Sequence, residues 1–389
     1  MNNFIFENTT KTIFGEGCVK EYLTCLLRHY GENVMLAYGG GSIRDNGIYN
    51  QVMESLAKVG KKVTEFSGIM PNPTYKKVLE GARTARENKI DFILGVGGGS
   101  VMDCCKAIAM AAVYGGDIWE EFFARPGIME FDPIPIGVVV TAAGTGSEMN
   151  GGAVITNEKL KVKAGRDYPK CNPKFALMDP VYTYSVPKRQ MVSGGFDTLS
   201  HIMEIYFSRP DEENVSDDMA EALMRGVIRD LRAAVQNPQD YTARSNLMWE
   251  ATMAENRILK LGKQTDFMCH QMACQLGAYT DCNHGEGIAV LQPVYYRHIR
   301  QDGLSKLQRF ASNVWNISAE GKTEEEQALA GVEALADFIK EIDLPTTLRA
   351  LGADRNTDLK QIADSCSISA GSYRQMTHRE ILEIFEECY

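Results

Sequence analysis

Short, uninterrupted apolar runs punctuate the first half of the chain: Val34-Met35-Leu36-Ala37-Tyr38, Phe92-Ile93-Leu94-Gly95-Val96 and Ile136-Gly137-Val138-Val139-Val140. None alternates with polar residues, so each predicts a strand covered on both faces. Val63-Thr64-Glu65-Phe66 predicts a further strand, closed by the turn Pro71-Asn72-Pro73. Between these runs the apolar spacing is helical, over about 17–29, from Ser42 to about Val59, over 74–88 and again after Ser100. Buried strands separated by helices predict a parallel sheet with helices on both faces. Two short extended runs between Asn3 and Ile13 are expected to pair within the chain or with a second subunit. Near residue 188 the pattern changes. Helical periodicity then recurs at 189–208, 215–234, 240–259, 264–279, 285–300, 302–317, 322–342 and 378–387, and strand signals nearly vanish. Two domains are expected, an α/β domain over 1–188 and an all-helical domain over 189–389.

Composition narrows the class. A 44% hydrophobic, 24% charged chain of 389 residues is that of a soluble globular protein. A net charge of −10 argues against a nucleic-acid partner, which needs clustered Lys and Arg. There is no apolar run of about 20 residues to span a bilayer and no signal-peptide pattern at the start. The ten cysteines contain no Cys-x-x-Cys pair, which disfavours zinc-finger and thioredoxin readings. Reduced thiols in a cytoplasmic protein are expected.

Three glycine-rich turns each follow a predicted strand or its equivalent: Gly39-Gly40-Gly41-Ser42, Gly97-Gly98-Gly99-Ser100 and Gly144-Thr145-Gly146-Ser147. Open α/β sheets bind ligands at the carboxyl ends of their strands. Glycines there let backbone N–H groups approach a phosphate, with a helix N-terminus behind them. None completes Gly-x-Gly-x-x-Gly, and each alone is compatible with a plain tight turn; three in one sheet point to a dinucleotide. At the first turn glycine and serine, with Arg44 close by, stand where an acidic residue would repel a 2′-phosphate, so NADP(H) is expected over NAD(H). Gly321-Lys322-Thr323 ends like a P-loop, but Asn316 occupies the place of its required glycine.

Asp197 and His201 lie four residues apart at what reads as the start of a helix, a spacing that puts both on one face. Alone this is commonly an ion pair. Yet three of only six histidines, His201, His270 and His284, fall in two short segments with it. One carboxylate and three imidazoles suit Fe, Zn or Ni rather than Mg or Ca. His29, His298 and His378 sit in charged, helix-like surroundings and are expected to be surface or structural residues.

These residues resemble the iron-containing (group III) alcohol dehydrogenases, nearest to their NADPH-dependent butanol dehydrogenase branch. The resemblance runs over nearly the whole chain through the three glycine turns, Asp103, Thr141 to Glu148, Asp179-Pro180, and Gly195-Phe196-Asp197 with His201, His270 and His284. It implies the dehydroquinate synthase-like fold, a Rossmann-like N-terminal domain, a helical C-terminal domain and a cofactor cleft between them. It implies Fe(2+), or alternatively Zn(2+), on Asp197, His201, His270 and His284. It also implies cofactor contacts at Gly39, Gly40, Gly41, Ser42, Asn72, Gly98, Gly99, Ser100, Asp103, Thr141, Thr145 and Lys163, and a substrate-facing Asn150. One departure stands out: Cys274 occupies a position where many relatives carry a histidine near the nicotinamide, which leaves the proton route open. The expected reaction is reversible hydride transfer between NADP(H) and an alcohol or aldehyde, with the metal as Lewis acid, in a homodimer with no membrane partner. The alternatives are a zinc- and NAD-dependent glycerol dehydrogenase-like enzyme, and a metal-dependent hydrolase or lyase on the same fold.

Overall fold

The computed structural model describes residues 2–354 and 356–389. Strands β1 (Lys11–Phe14), β2 (Asn33–Tyr38), β3 (Lys62–Phe66), β4 (Phe92–Gly97), β5 (Ile136–Val140) and β8 (Phe175–Met178) form one parallel sheet in the order β1-β8-β5-β4-β2-β3. β6 (Gly152–Asn157) and β7 (Val162–Asp167) form a separate antiparallel hairpin. Helices α1 (Cys18–Leu27), α2 (Ser42–Asp45), α3 (Ile48–Lys58), α4 (Tyr75–Glu87) and α5 (Gly99–Val113) connect the strands.

Side-chain alternation decides which helices lie on which face. Val34, Leu36 and Tyr38 of β2, with Leu94 and Val96 of β4, pack in one cluster with Val19 and Leu23 of α1 and Val52 and Leu56 of α3. The intervening Met35, Ala37 and Ile93 join the opposite cluster, with Val78 and Ala82 of α4 and the apolar stripe of α5. A strand that must satisfy both clusters has no room for polar residues, which is why these runs are continuous in sequence. Trp119, Phe122 and Phe123 belong to the second cluster and are buried.

The remaining helices are α6 (Lys188–Tyr206), α7 (Val215–Gln236), α8 (Tyr241–Glu255), α9 (Met268–Thr280), α10 (His284–His298), α11 (Leu304–Asn313), α12 (Glu324–Glu341), α13 (Leu359–Ser365) and α14 (His378–Glu387). The chain divides into two compact units. One holds residues 7–187 and 238–256; the other holds 2–6, 188–237 and 257–389. A segment of the second unit opens at residue 188, and α8 groups with the sheet. Its Ala243, Leu247, Met248 and Ala251 are buried, its Arg244 donates to the carbonyl and hydroxyl oxygens of Thr183, and its Thr252 donates to Glu148. In the helical unit a buried Asp217 accepts from both Lys263 and Lys306, two lysines that are themselves 2% exposed.

Other expectations also change. Of the two extended runs near the N-terminus only Lys11–Phe14 is a strand, and it pairs in parallel with β8 of the same chain at the sheet edge. The helix expected from Ser42 to Val59 is split, because Gly47 adopts the left-handed conformation (φ 81°) between α2 and α3. The hairpin β6–β7, the short strand β8 and α13 were not expected. No helix among the described residues is long and apolar enough to cross a membrane.

Candidate functional site

Helix α6 begins at Lys188, so Asp197 and His201 lie in its interior rather than at its start. They occupy successive turns of one face. His270 sits in the first turn of α9, and His284 is the first residue of α10, whose N-cap Asn283 accepts from the Glu286 N–H at 3.2 Å. Asn283 also accepts from Ser193 of α6, and Glu286 pairs with Arg189 of α6. The two helices approach so closely that a Cβ on Gly285 would stand 2.3 Å from the Ser193 carbonyl oxygen. Only glycine permits that approach, and it brings His284 up to the Asp197 turn.

The three imidazoles surround one carboxylate oxygen. Asp197 Oδ1 lies 3.6 Å from His270 Nε2, 3.8 Å from His201 Nδ1 and 3.9 Å from His284 Nε2. These are too long for hydrogen bonds. Ligands bonded at about 2.1 Å in a tetrahedron stand about 3.4 Å apart, so a small closure of this cluster matches a shared ion. Asp197, His201 and His270 each offer a donor atom within 4.8 Å of the others. His284 falls outside that tightest group, and with 26% of its side chain exposed it forms the accessible side. Asp197 Oδ1 and His270 Nε2 are buried without a hydrogen-bond partner among the described residues. Folded chains seldom leave such atoms orphaned, and a divalent cation would satisfy both. The donor set therefore fits iron or zinc.

Electrostatics agree with the geometry. Burial alone would raise the Asp197 pKa, but His201, His270 and His284 outweigh it and hold the carboxyl well below the usual range. Burial alone would lower the His270 pKa, yet the Glu204 and Asp197 carboxylates push it up to about 10. A divalent ion must displace protons held in this cluster. Glu204 has no role in the sequence reading. It is fully buried, touches His270 Nδ1, and accepts from the Cys269 N–H at 2.7 Å. Its place three residues after His201 was the signal available.

In the sheet unit, Gly39 follows β2 and Gly98 follows β4, and these two strands are neighbours with Tyr38 opposite Val96. The chain leaves β2 for β3 on one side and returns to β4 on the other, so the two turns flank the topological switch point where such sheets bind ligands. Gly40, Gly41, Ser42 and Thr145 are exposed, and Ser100 and Thr141 partly so. A Cβ on Gly40 would meet nothing within 4 Å, whereas one on Gly99 would stand 2.5 Å from Thr145, so the second and third turns touch only because Gly99 lacks a side chain. Lys163 of β7 donates to Asn72 Oδ1 at 2.8 Å, which joins two of the expected cofactor residues. Arg44 donates to Glu65 and to the Tyr38 hydroxyl at 2.7 Å each and lies over the Tyr49 ring.

Asp103 and Asn150, expected at the cofactor and the substrate, turn inward. Asp103 accepts from Ser147 Oγ at 2.7 Å and from the Val154 N–H at 2.9 Å. Asn150 accepts from Lys106 and Gly152 N–H and donates to the carbonyls of Gly146 and Glu255. A carboxylate and an amide placed beside a buried lysine find their partners within the fold, and here they hold the 144–150 turn. Cys274 lies one turn beyond His270 on α9 and is partly exposed.

Comparison with known proteins covers the chain from end to end. A family model described as iron-containing alcohol dehydrogenase matches residues 9–180, and its C-terminal counterpart matches residues 191–389. A probable NADH-dependent butanol dehydrogenase of Bacillus subtilis is 38% identical over 99% of both chains. An NADPH-dependent aldehyde reductase of Escherichia coli is 35% identical over 91% of this chain and 90% of its own. The crystal structure of an NADH-dependent butanol dehydrogenase of Thermotoga maritima superposes with a TM-score of 0.93 at 35% identity, over 100% of this chain and 99% of that one.

Proposed function

The chain belongs to the iron-containing alcohol dehydrogenase family, and from that premise we propose reversible hydride transfer between NADP(H) and an alcohol or aldehyde, at a divalent metal held by Asp197, His201, His270 and His284. The observation that carries this reading is the three imidazoles gathered around Asp197 Oδ1, with that oxygen and His270 Nε2 orphaned in the interior. When bound, the metal supplies Lewis acidity toward the reacting oxygen and the nicotinamide supplies hydride chemistry. The protein's own part is to hold and to shield. Asp197 contributes the anionic ligand, the three histidines contribute neutral nitrogens, and the Phe267 ring, packed against His270 and His201, keeps water from that side. Gly40, Gly41, Ser42, Gly98, Gly99, Ser100, Thr141 and Thr145 rim the dinucleotide, the Lys163–Asn72 pair meets its adenosine side, and Cys274 borders the substrate. Asp103 on the cofactor side and Asn150 on the substrate side also fix the turn through their hydrogen bonds.

The family and the relatives named above support a nicotinamide cofactor, and their names include both NADH and NADPH users. The NADP(H) preference rests on this chain's residues: a turn of glycine and serine with no acid, and Arg44 within reach. Glu65 engages that arginine, so the preference is modest. The ten thiols, all unbridged, support a reducing cytoplasmic setting. The edge position of β1 and the exposed Phe4 and Ile5 support a homodimer, to be checked by mass in solution. The test of function is a panel of short aldehydes and alcohols with NADPH and NADH, on protein reloaded separately with Fe(II) and Zn(II). Metal-dependent oxidation of NADPH by an aldehyde is expected. No nicotinamide absorbance change with any substrate, together with metal-dependent hydrolysis or elimination, would overturn the reading.

A further inference from the structure

We propose that Glu204 is the positioning residue of the metal centre: its carboxylate holds His270 as the Nδ1–H tautomer and so turns the Nε2 lone pair toward the ion. This rests on the ligand assignment above. Glu204 lies on α6 on the stripe that carries Asp197 and His201, and it is 0% exposed. Its two oxygens take donors from a single helix end. Oε1 accepts from the Cys269 N–H at 2.7 Å, and Oε2 accepts from the His270 N–H at 3.3 Å and from the His270 ring. The two amides before these are taken by Asp266, from Phe267 at 3.0 Å and Met268 at 2.9 Å. The opening N–H groups of α9 are thus shared between two buried carboxylates, while Phe267 at the N-cap supplies no side-chain cap.

A cap alone does not explain a buried glutamate. Ser, Thr or Asn satisfies a helix end without bringing a charge inside. What the ionised carboxylate adds is an acceptor-only group aimed at a ring nitrogen. A neutral imidazole carries one donor and one acceptor nitrogen. With Nδ1 obliged to donate, Nε2 must present its lone pair, and Nε2 is the atom that faces Asp197 Oδ1 at 3.6 Å. The charge also raises the basicity of the ligating nitrogen. Because Glu204 shares α6 with Asp197 and His201, one side chain ties the ligand on α9 to the two ligands on α6.

The test compares wild type with Glu204→Gln in the full chain, stripped of metal and titrated with Zn(II) against a chromophoric chelator, and with Co(II) followed by its visible spectrum. Glutamine has one oxygen and one NH2 group. If the NH2 faces the ring, the ring must carry its hydrogen on Nε2; if it faces Cys269, the helix end loses its acceptor. Zn(II) affinity is expected to weaken about 10–100-fold and the Co(II) spectrum to change, with NADPH binding unaltered. A folded Glu204→Gln protein with wild-type Zn(II) affinity and Co(II) spectrum overturns the proposal. So does a loss that merely parallels a lower unfolding midpoint of the metal-free chain, which would mark a structural cap only. Should the variant not fold, nitrogen NMR of histidine-labelled wild type loaded with Zn(II) decides: a protonated Nδ1 and ligated Nε2 on His270 support the proposal, and the opposite tautomer overturns it. Wild type that binds neither metal would remove the ligand assignment itself, whereas metal bound equally by both proteins would remove only the role of Glu204.

Discussion

Replacing Lys106 by methionine removes a buried cation while keeping an unbranched chain of similar length. Lys106 of α5 is 0% exposed, and its ammonium donates to the Ser147 carbonyl, the Ser147 hydroxyl and the Gly152 carbonyl at 2.7 Å each, with Asn150 Oδ1 at 3.2 Å. Burial lowers its pKa, opposed chiefly by the Asp103 charge. Asp103 itself is raised by burial and held down by Lys106. Lys106→Met strips a donor from two buried carbonyls and the Asn150 oxygen, at about 1–3 kcal/mol for each group left unsatisfied. It also removes the main positive charge that favours the buried Asp103 carboxylate, with Lys163 still contributing. These overlap rather than add, so about 4 kcal/mol is expected. At roughly 2–4 °C per kcal/mol for a unit of this size, the Tm should fall by about 8–16 °C. The turn from Thr141 to Asn150 loosens with it, so KM for NADPH should rise while bound metal per chain stays constant. Differential scanning calorimetry and initial rates measure both. Lys106→Met with Asp103→Asn should recover part of the loss, because the stranded charge is gone. A Tm shift below about 2 °C, or a double variant no more stable than the single one, would refute the reasoning.

His270→Ala should abolish metal-dependent turnover and lower bound metal per chain while leaving NADPH binding largely intact; lost NADPH binding with turnover retained contradicts the ligand assignment. Arg44→Ala should lower the NADPH-to-NADH ratio of kcat/KM by about tenfold, the worth of one charged hydrogen bond of about 1.5 kcal/mol. Glu65→Gln should raise that ratio by releasing Arg44 from its ion pair, and ratios unchanged in both variants would exclude Arg44 from cofactor choice.

What the sequence made legible follows from how many constraints act on each segment. Val34 to Tyr38 and Phe92 to Val96 face two cores at once, so composition alone marks them. The β6–β7 hairpin was missed because it is only half covered and its turn carries Glu158, Lys159 and Lys161, with no glycine to mark it; Lys161 adopts a left-handed conformation (φ 52°) there. The strand Phe175–Met178 was too short to stand out. Helix α8 was seen as a helix, but an apolar stripe does not say which neighbour it meets. At the site, Asp197 and His201 were legible because helical spacing alone brings them together. The directions of Asp103 and Asn150 were not, since their partners Ser147, Val154 and Lys106 lie more than forty residues away along the chain, and residue type cannot tell a side chain that meets a ligand from one that braces a turn.

The same distinction explains how the metal cluster can exist at all. Three imidazoles and a carboxylate held in the interior at 3.6–3.9 Å, with an orphaned oxygen and nitrogen, are locally unfavourable without a cation. The rest of the helical unit must impose them. Arg189 with Glu286 and Ser193 with Asn283 bind α10 to α6, and Glu204 binds α9 to α6. These contacts join the helices that carry the four residues, and none of the side chains that make them belongs to the cluster itself. A buried carboxylate oxygen and imidazole nitrogen without a hydrogen-bond partner favour an occupant that supplies positive charge without bulk. That is what separates these four residues from a surface ion pair, where exposure would let the side chains separate and water satisfy each of them.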